Sequence, residues 1–377
     1  MNNRKLLVAV VLGVLVIAAG VGLRLLSPDA APEEVLAQGQ RVPVFQEEPG
    51  WLKVPAKWVL GNVASVAVDG RDHVWVLHRP RTLPADQVAQ AAPPVMEFDA
   101  AGNFVQAWGG KGNGYEWPQR EHGIFVDHTD HVWIGGNNNK ERKLPLLEPI
   151  NDDQILKFTR TGTFVLQIGR SDKSAGDADT SNLRQPADMV VHPKTNELFV
   201  ADGYGNHRLI VFDAGTGAFK RMWGAFGNTP LDADRRPPAS ASRPAGQTGP
   251  EHFDTVHSVR VSNDDLVYVG DRGNKRVQVF TLDGKFLSQA SIAPQTDGLT
   301  ARTFAFSPDP QQTLLYVGGQ PEIWVLDRKS LTTLGSVASP NAHHFAADSK
   351  GNIYTAETEE SRSRKFVLKT SPVGSSQ

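Results

Sequence analysis

The chain has 377 residues, 40% of them hydrophobic and 21% charged, a balance that excludes a wholly disordered polymer. Its 39 basic and 41 acidic side chains leave a formal charge of -2, so there is no electrostatic case for nucleic acid as a partner. The absence of cysteine excludes disulfides, a thiol nucleophile and a zinc–thiolate site, while 35 glycines and 25 prolines suit many short strands joined by turns.

The first predicted element is a membrane signal. Arg4 and Lys5 precede Leu6–Leu23, an uncharged apolar run, and Arg24 follows it. A basic start before an apolar core reads as a signal anchor or a cleaved signal peptide over residues 1–27, and the positive-inside rule puts the body outside the cytoplasm. Residues 28–45 read as a polar linker, 46–372 as the folded body and 373–377 as a tail.

The body repeats one pattern six times. It runs SVAVDGRDHVWVLHR from Ser65, GIFVDHTDHVWIGGN from Gly123, DMVVHPKTNELFVADGYGN from Asp188, SVRVSNDDLVYVGDRGN from Ser258, TFAFSPDPQQTLLYVGG from Thr303 and HFAADSKGNIYTAET from His344. Five copies are followed by a second hairpin, the first of these being VMEFDAAGNFVQAWG. Alternation with a period of two buries one side of each strand, and Gly, Asn and Asp at the tips supply the turns. Six four-stranded units predict an all-β, six-bladed β-propeller behind an N-terminal anchor or signal helix, with an open sandwich as the competitor. The sixth copy is one strand short, and a strand near Arg41–Phe45 or Trp51–Val54 is expected to complete it.

The position before each copy is equivalent in all six: Ala64, His122, Ala187, His257, Arg302 and His343. Histidine fills it in copies two, four and six. If the first strand of each blade lines the central channel, these rings converge on the axis from blades about 120° apart. Three neutral imidazoles with open positions suit a catalytic zinc or another divalent metal. A lone histidine at a strand start is more often structural; the alternate-blade placement favours ligation. The other histidines read as turn residues, with His78 and His344 as possible exceptions.

The second strand returns to the histidine mouth, so the loop after it shares that face. There lie Arg79, Tyr204 and Arg272, the last two at the same aligned position in DGYGNHRL and DRGNKRV. A tyrosine near a metal offers an acid or base, and arginines offer carboxylate clamps. The insertions 80–94, 138–153, 170–184 and 225–253 map to the same face, which marks it as the binding side.

These residues carry a resemblance. The body resembles NHL-repeat propellers and, more narrowly, is similar to the peptidyl-α-hydroxyglycine α-amidating lyase (peptidylamidoglycolate lyase) family, through LHRP, EHGIFVD, QPADMVVHPKTNELFVADGYGNHR, VHSVRV with GDRGNKRVQVF, and AHHFAADSKGNIY. The resemblance implies zinc on His122, His257 and His343, Tyr204 as the catalytic tyrosine and Arg79 and Arg272 as functional arginines. It implies a peptide or small substrate ending in an α-hydroxyglycine-like group, cleaved to an amide and glyoxylate. In the family a carboxylate after the third histidine helps hold channel calcium; here that position is His344, so a structural calcium is not expected. The alternatives are a non-catalytic extracytoplasmic binding scaffold and a lactonase-like propeller hydrolase, the latter disfavoured by histidine in the axial positions.

Overall fold

Each predicted pair of hairpins forms one twisted antiparallel sheet, and the six four-stranded sheets stand in sequence order around an axis. The computed structural model describes residues 42–232, 234, 248–338 and 341–370. The apolar segment expected as an anchor, the linker up to residue 41 and the tail 373–377 lie outside the described residues. Among the described residues there is no α-helix, and no helix is long and apolar enough to cross a membrane.

The first strands of the blades are Asn62–Val68, Glu121–Val126, Asp188–His192, Val256–Val261, Thr303–Phe306 and His344–Ala347. Each packs against the next, and the last packs against the first, so they form the wall of the central channel. Apolar faces of neighbouring sheets meet in six clusters, one at each junction between blades. Between the first two blades, for example, Trp75 and Leu77 pack on Ile124, Ile134 and Leu156. Emptying one such position, as in Trp75→Ala, removes about 3–5 kcal/mol.

One turn device recurs where the sequence repeats Asp-x-x-x-x-x-Trp/Tyr. The carboxylates of Asp69, Asp127 and Asp348 each accept backbone N–H groups two and four residues on, which closes the turn. Each also accepts from the aromatic six residues later: Trp75 at 3.0 Å, Trp133 at 2.8 Å and Tyr354 at 3.0 Å. The buried indole or phenol is thereby satisfied while its ring fills the junction between blades.

The ring closes between the two ends of the chain. Val44–Glu47 pairs antiparallel with Arg362–Thr370, placing Phe45 opposite Leu368 and Glu47 opposite Phe366. Folded structure therefore begins inside the 28–45 stretch expected as linker. Of the two expected closing strands, the earlier is used, beginning at Val44. Trp51 of the other is core instead: 2% exposed, it packs against Phe98 and Tyr354 between the first and sixth blades.

Candidate metal centre

The inner strands are bulged where the equivalent position falls. The pairing register shifts across Ala64, across His122–Gly123 and across His257. A bulge re-aims a side chain out of the alternating pattern, and here it accompanies the turn of His122 and His257 into the channel mouth; His343 reaches it from just before the strand His344–Ala347. The rings of His122, His257 and His343 form a nearly equilateral triangle, with centroids 5.1, 4.8 and 5.1 Å apart. His122 and His257 are fully buried and His343 is 6% exposed.

Each ring is held by the neighbouring blade. His122 Nδ1 lies 2.7 Å from the Ala187 carbonyl, His257 Nδ1 2.6 Å from that of Arg302 and His343 Nδ1 2.6 Å from that of Ala64. The three acceptors are the equivalent positions of the odd-numbered blades. A carbonyl can only accept, so each Nδ1 carries the hydrogen and each Nε2 presents a lone pair. Burial first, and nearby arginines and histidines next, hold all three pKa values well below the ordinary imidazole value. The rings are neutral and ready to ligate.

Tyr204 enters from the third blade, two residues past the strand Glu197–Asp202. Its hydroxyl lies 3.0 Å from His122 Nε2, 3.1 Å from His257 Nε2 and 3.1 Å from Arg272 Nη1. The Arg272 guanidinium also sits over the tyrosine ring, 5.0 Å from its centroid. Gly203 makes this reach possible, since a Cβ there would lie 2.1 Å from the Val256 carbonyl oxygen and 2.3 Å from its nitrogen. The loop is braced beneath by buried Asp202, which accepts from Asn206 Nδ2 and Arg208 Nε. Asp271, Asn274 and Arg276 build the same brace under Arg272.

Arg79 ends the strand Val74–Arg79. It is 2% exposed, donates from Nε to the Glu121 carbonyl at 2.7 Å and leaves Nη2 without a partner among the described residues. Burial, then the nearby Arg120, brings its pKa down to about 9. All six residues expected at the site thus meet at one end of the channel. The far end opens into a cavity of 370 Å³ lined by Ala67, Phe125, Arg260 and Ala347 among others, and none of the six borders it.

Two residues beyond the six stand at the site: Arg302, which the sequence placed at the mouth without a role, and His344, which it marked as a possible exception among the turn histidines. Arg302 occupies the aligned position of the fifth blade, 6% exposed, with Nε and Nη1 unpartnered among the described residues. Its signal was present in the alignment, as a cation at the same mouth. His344 is fully buried with neither ring nitrogen partnered, and burial holds its pKa well below the usual value. One ligand atom from each of His122, His257, His343 and His344 lies within 4.8 Å of the others.

This donor set fits zinc: neutral nitrogens, each oriented through its second nitrogen. It does not fit calcium, which takes oxygen ligands. Where an oxygen ligand would stand, the chain has His344, and the Arg260 guanidinium, held by Asp188 at 2.6 Å, adds positive charge to that part of the channel.

Comparison with known proteins finds repeats and distant relatives. NHL repeats match at residues 183–212 and 253–280, the segments that carry the loops of Tyr204 and Arg272. The mouse "NHL repeat-containing protein 3" is 25% identical over 342 residues, covering 86% of this chain and 84% of that protein. The rat "Peptidylglycine alpha-amidating monooxygenase" is 27% identical over 355 residues, covering 86% of this chain but 32% of that protein. The Caenorhabditis elegans "Probable peptidyl-alpha-hydroxyglycine alpha-amidating lyase pgal-1" is 25% identical over 254 residues, 64% of this chain and 62% of that one. The chain is an NHL-repeat β-propeller with modest similarity to amidating enzymes.

Proposed function

We propose that this NHL-repeat propeller is a zinc-dependent carbon–nitrogen lyase. It cleaves a peptidyl-α-hydroxyglycine-like carbinolamide to an amide and glyoxylate, outside the cytoplasm and tethered by residues 1–27. The observation that carries the reading is the Tyr204 hydroxyl within 3.1 Å of two histidine Nε2 atoms and of Arg272.

His122, His257 and His343 would hold the zinc, which would supply Lewis-acid polarisation of the substrate oxygen. Tyr204 takes the proton from the substrate hydroxyl as the C–O bond becomes a carbonyl and the C–N bond breaks. Tyr204 then passes that same proton to the departing amide nitrogen, so the products are neutral amide and glyoxylate and the tyrosine is restored to its starting state. Arg272 holds the tyrosine oxygen in place by its N–H donor, and Arg79 and Arg272 hold the substrate carboxylate. The burial of Arg79 favours such an anion, because a buried guanidinium without a counter-charge is costly.

The competing reading is a non-catalytic extracytoplasmic scaffold that keeps a metal, and it draws on relatives whose names state repeats and no activity. Metal analysis of the purified protein, followed by a glyoxylate assay on N-acyl-α-hydroxyglycines, separates the two. Near-stoichiometric zinc with glyoxylate release supports the lyase; zinc without release supports the scaffold.

A further inference from the structure

The guanidiniums of Arg79, Arg272 and Arg302 reach the histidine end of the channel, with Arg120, which donates from Nη1 to Asn137 Oδ1 at 2.6 Å, close enough for its charge to act on His122, and no ion pair joins Arg79, Arg272 or Arg302 to a carboxylate among the described residues. Elsewhere in the molecule buried arginines are matched: Arg208 with Asp202 at 2.9 Å and Arg276 with Asp271 at 2.7 Å. The contrast is local to the site. An unmatched buried cation is tolerated where a ligand supplies the missing charge.

The proposed lyase chemistry uses two of the three for one carboxylate. Arg272 already spends one N–H on the Tyr204 hydroxyl, and Arg79 spends Nε on the Glu121 carbonyl. Arg302 has Nε and Nη1 unspent. Its backbone is fixed at the site, because its carbonyl accepts from His257 Nδ1 at 2.6 Å. Its charge is felt by His257, His343 and His344. These two donors lie on different edges of the guanidinium, but Nη2 shares an edge with each and makes no side-chain hydrogen bond among the described residues, so either edge can meet a carboxylate bidentately.

We propose that Arg302 is a substrate-binding residue and that the site takes a dianion: an α-hydroxyglycine amide whose acyl part carries a second carboxylate. This rests on the lyase reading for the identity of the first carboxylate. The second carboxylate meets Arg302 on the fifth blade while the first is held by Arg79 and Arg272.

Calorimetric binding of succinate and butyrate to the zinc-loaded protein tests this without turnover, since the two share a four-carbon skeleton and differ in the second carboxylate. Succinate is expected to bind at least about tenfold more tightly, and Arg302→Gln to remove that advantage while butyrate affinity changes less than about twofold, at unchanged zinc content. Should Arg302→Gln not fold, Arg302→Lys, which keeps the charge and loses the fork, is expected to weaken succinate selectively. Equal affinity for the two acids in the wild type, or an equal loss of both in either variant, overturns the proposal; the latter would mark a general anion site. Glyoxylate release is read on the same samples. Its absence with succinate preference intact counts against the lyase alone, and its presence with no preference counts against Arg302 alone.

Discussion

His257 and Arg302 are joined across a blade boundary by a 2.6 Å hydrogen bond from the imidazole Nδ1–H to the arginine carbonyl. The same bond links His122 to Ala187 and His343 to Ala64, so every even-numbered blade that offers a ligand is oriented by its odd-numbered neighbour. The acceptor is backbone, which explains why alanine suffices at two of the three positions. It leaves the third side chain free for another task, and that side chain is a buried guanidinium.

Removing one of the three histidines leaves a buried gap beside the other two and His344, whose ring nitrogens are not held by a neighbouring-blade carbonyl. His122→Ala, His257→Ala and His343→Ala are each expected to lower zinc affinity by more than about a hundredfold, above the range for loss of an outer partner. His192→Ala serves as the control: it is buried, but its ring contacts Thr195 and Asp265 in the hairpin turns away from the channel mouth. Zinc content after dialysis against a weak chelator checks this, and normal zinc in any of the first three variants would remove that residue from the centre.

Gly203→Ala probes the approach of the Tyr204 loop to its neighbour. The added Cβ meets backbone, the Val256 oxygen at 2.1 Å and nitrogen at 2.3 Å, and backbone next to the buried His257 cannot step aside cheaply. Turnover should fall by about a hundredfold, as displacements of about 1 Å do, with zinc largely retained. Wild-type turnover would show that Tyr204 does not need this close approach.

The blade pattern and the triad were legible because both are periodic. Alternation marks the strands, and aligned copies put histidine at every second blade whatever the loop lengths between. Arg79, Tyr204 and Arg272 were legible as loop positions on the same face. Arg302 and His344 were legible in position but not in role, for different reasons. Spacing places Arg302 at the mouth but cannot say that its donors go unspent. His344 follows His343 directly, and neighbours along a strand ordinarily face opposite ways; both rings reach the axis because His343 stands just before the strand His344–Ala347. The choice between a strand near Arg41–Phe45 and one at Trp51–Val54 as closing strand depended on pairing with residues three hundred positions away, which no local pattern encodes.

Ring closure gives a prediction about the chain ends. Deleting residues 1–41 should leave a soluble, folded propeller. Deleting residues 1–47 also removes the partner of Arg362–Thr370 and the ion pair of Glu47 with Arg364 at 2.9 Å. The bared edge strand should lower Tm and promote aggregation. Thermal melting and light scattering of the two truncations check this, and equal behaviour would show that the closing strand is dispensable.

His78 gives a pH prediction away from the metal. Its Nδ1 accepts from the Gly61 N–H at 3.1 Å, and its Nε2 faces the Pro93 carbonyl at 3.1 Å, an arrangement only the neutral ring satisfies. Burial brings its pKa down to about 4. The unfolded chain takes up a proton near pH 6.5 and the folded one does not, so stability is fully present above pH 6.5 and is lost as pH falls toward 4. The loss is about 3 kcal/mol for this residue. Denaturant unfolding of the metal-free protein at pH 7.5 and 4.5 should show His78→Gln losing about that much less than wild type; parallel losses would contradict it.

The central claim is that this centre turns over, and glyoxylate release from an N-acyl-α-hydroxyglycine by the zinc-loaded protein tests it most directly, with Tyr204→Phe beside the wild type. The variant keeps the ring under Arg272 and the three histidines and loses only the hydroxyl. The account predicts release by the wild type, a fall of about 10² to 10⁴ in the variant, and unchanged zinc content and Tm. No release from the zinc-loaded wild type, or release by Tyr204→Phe at the wild-type rate, would contradict it.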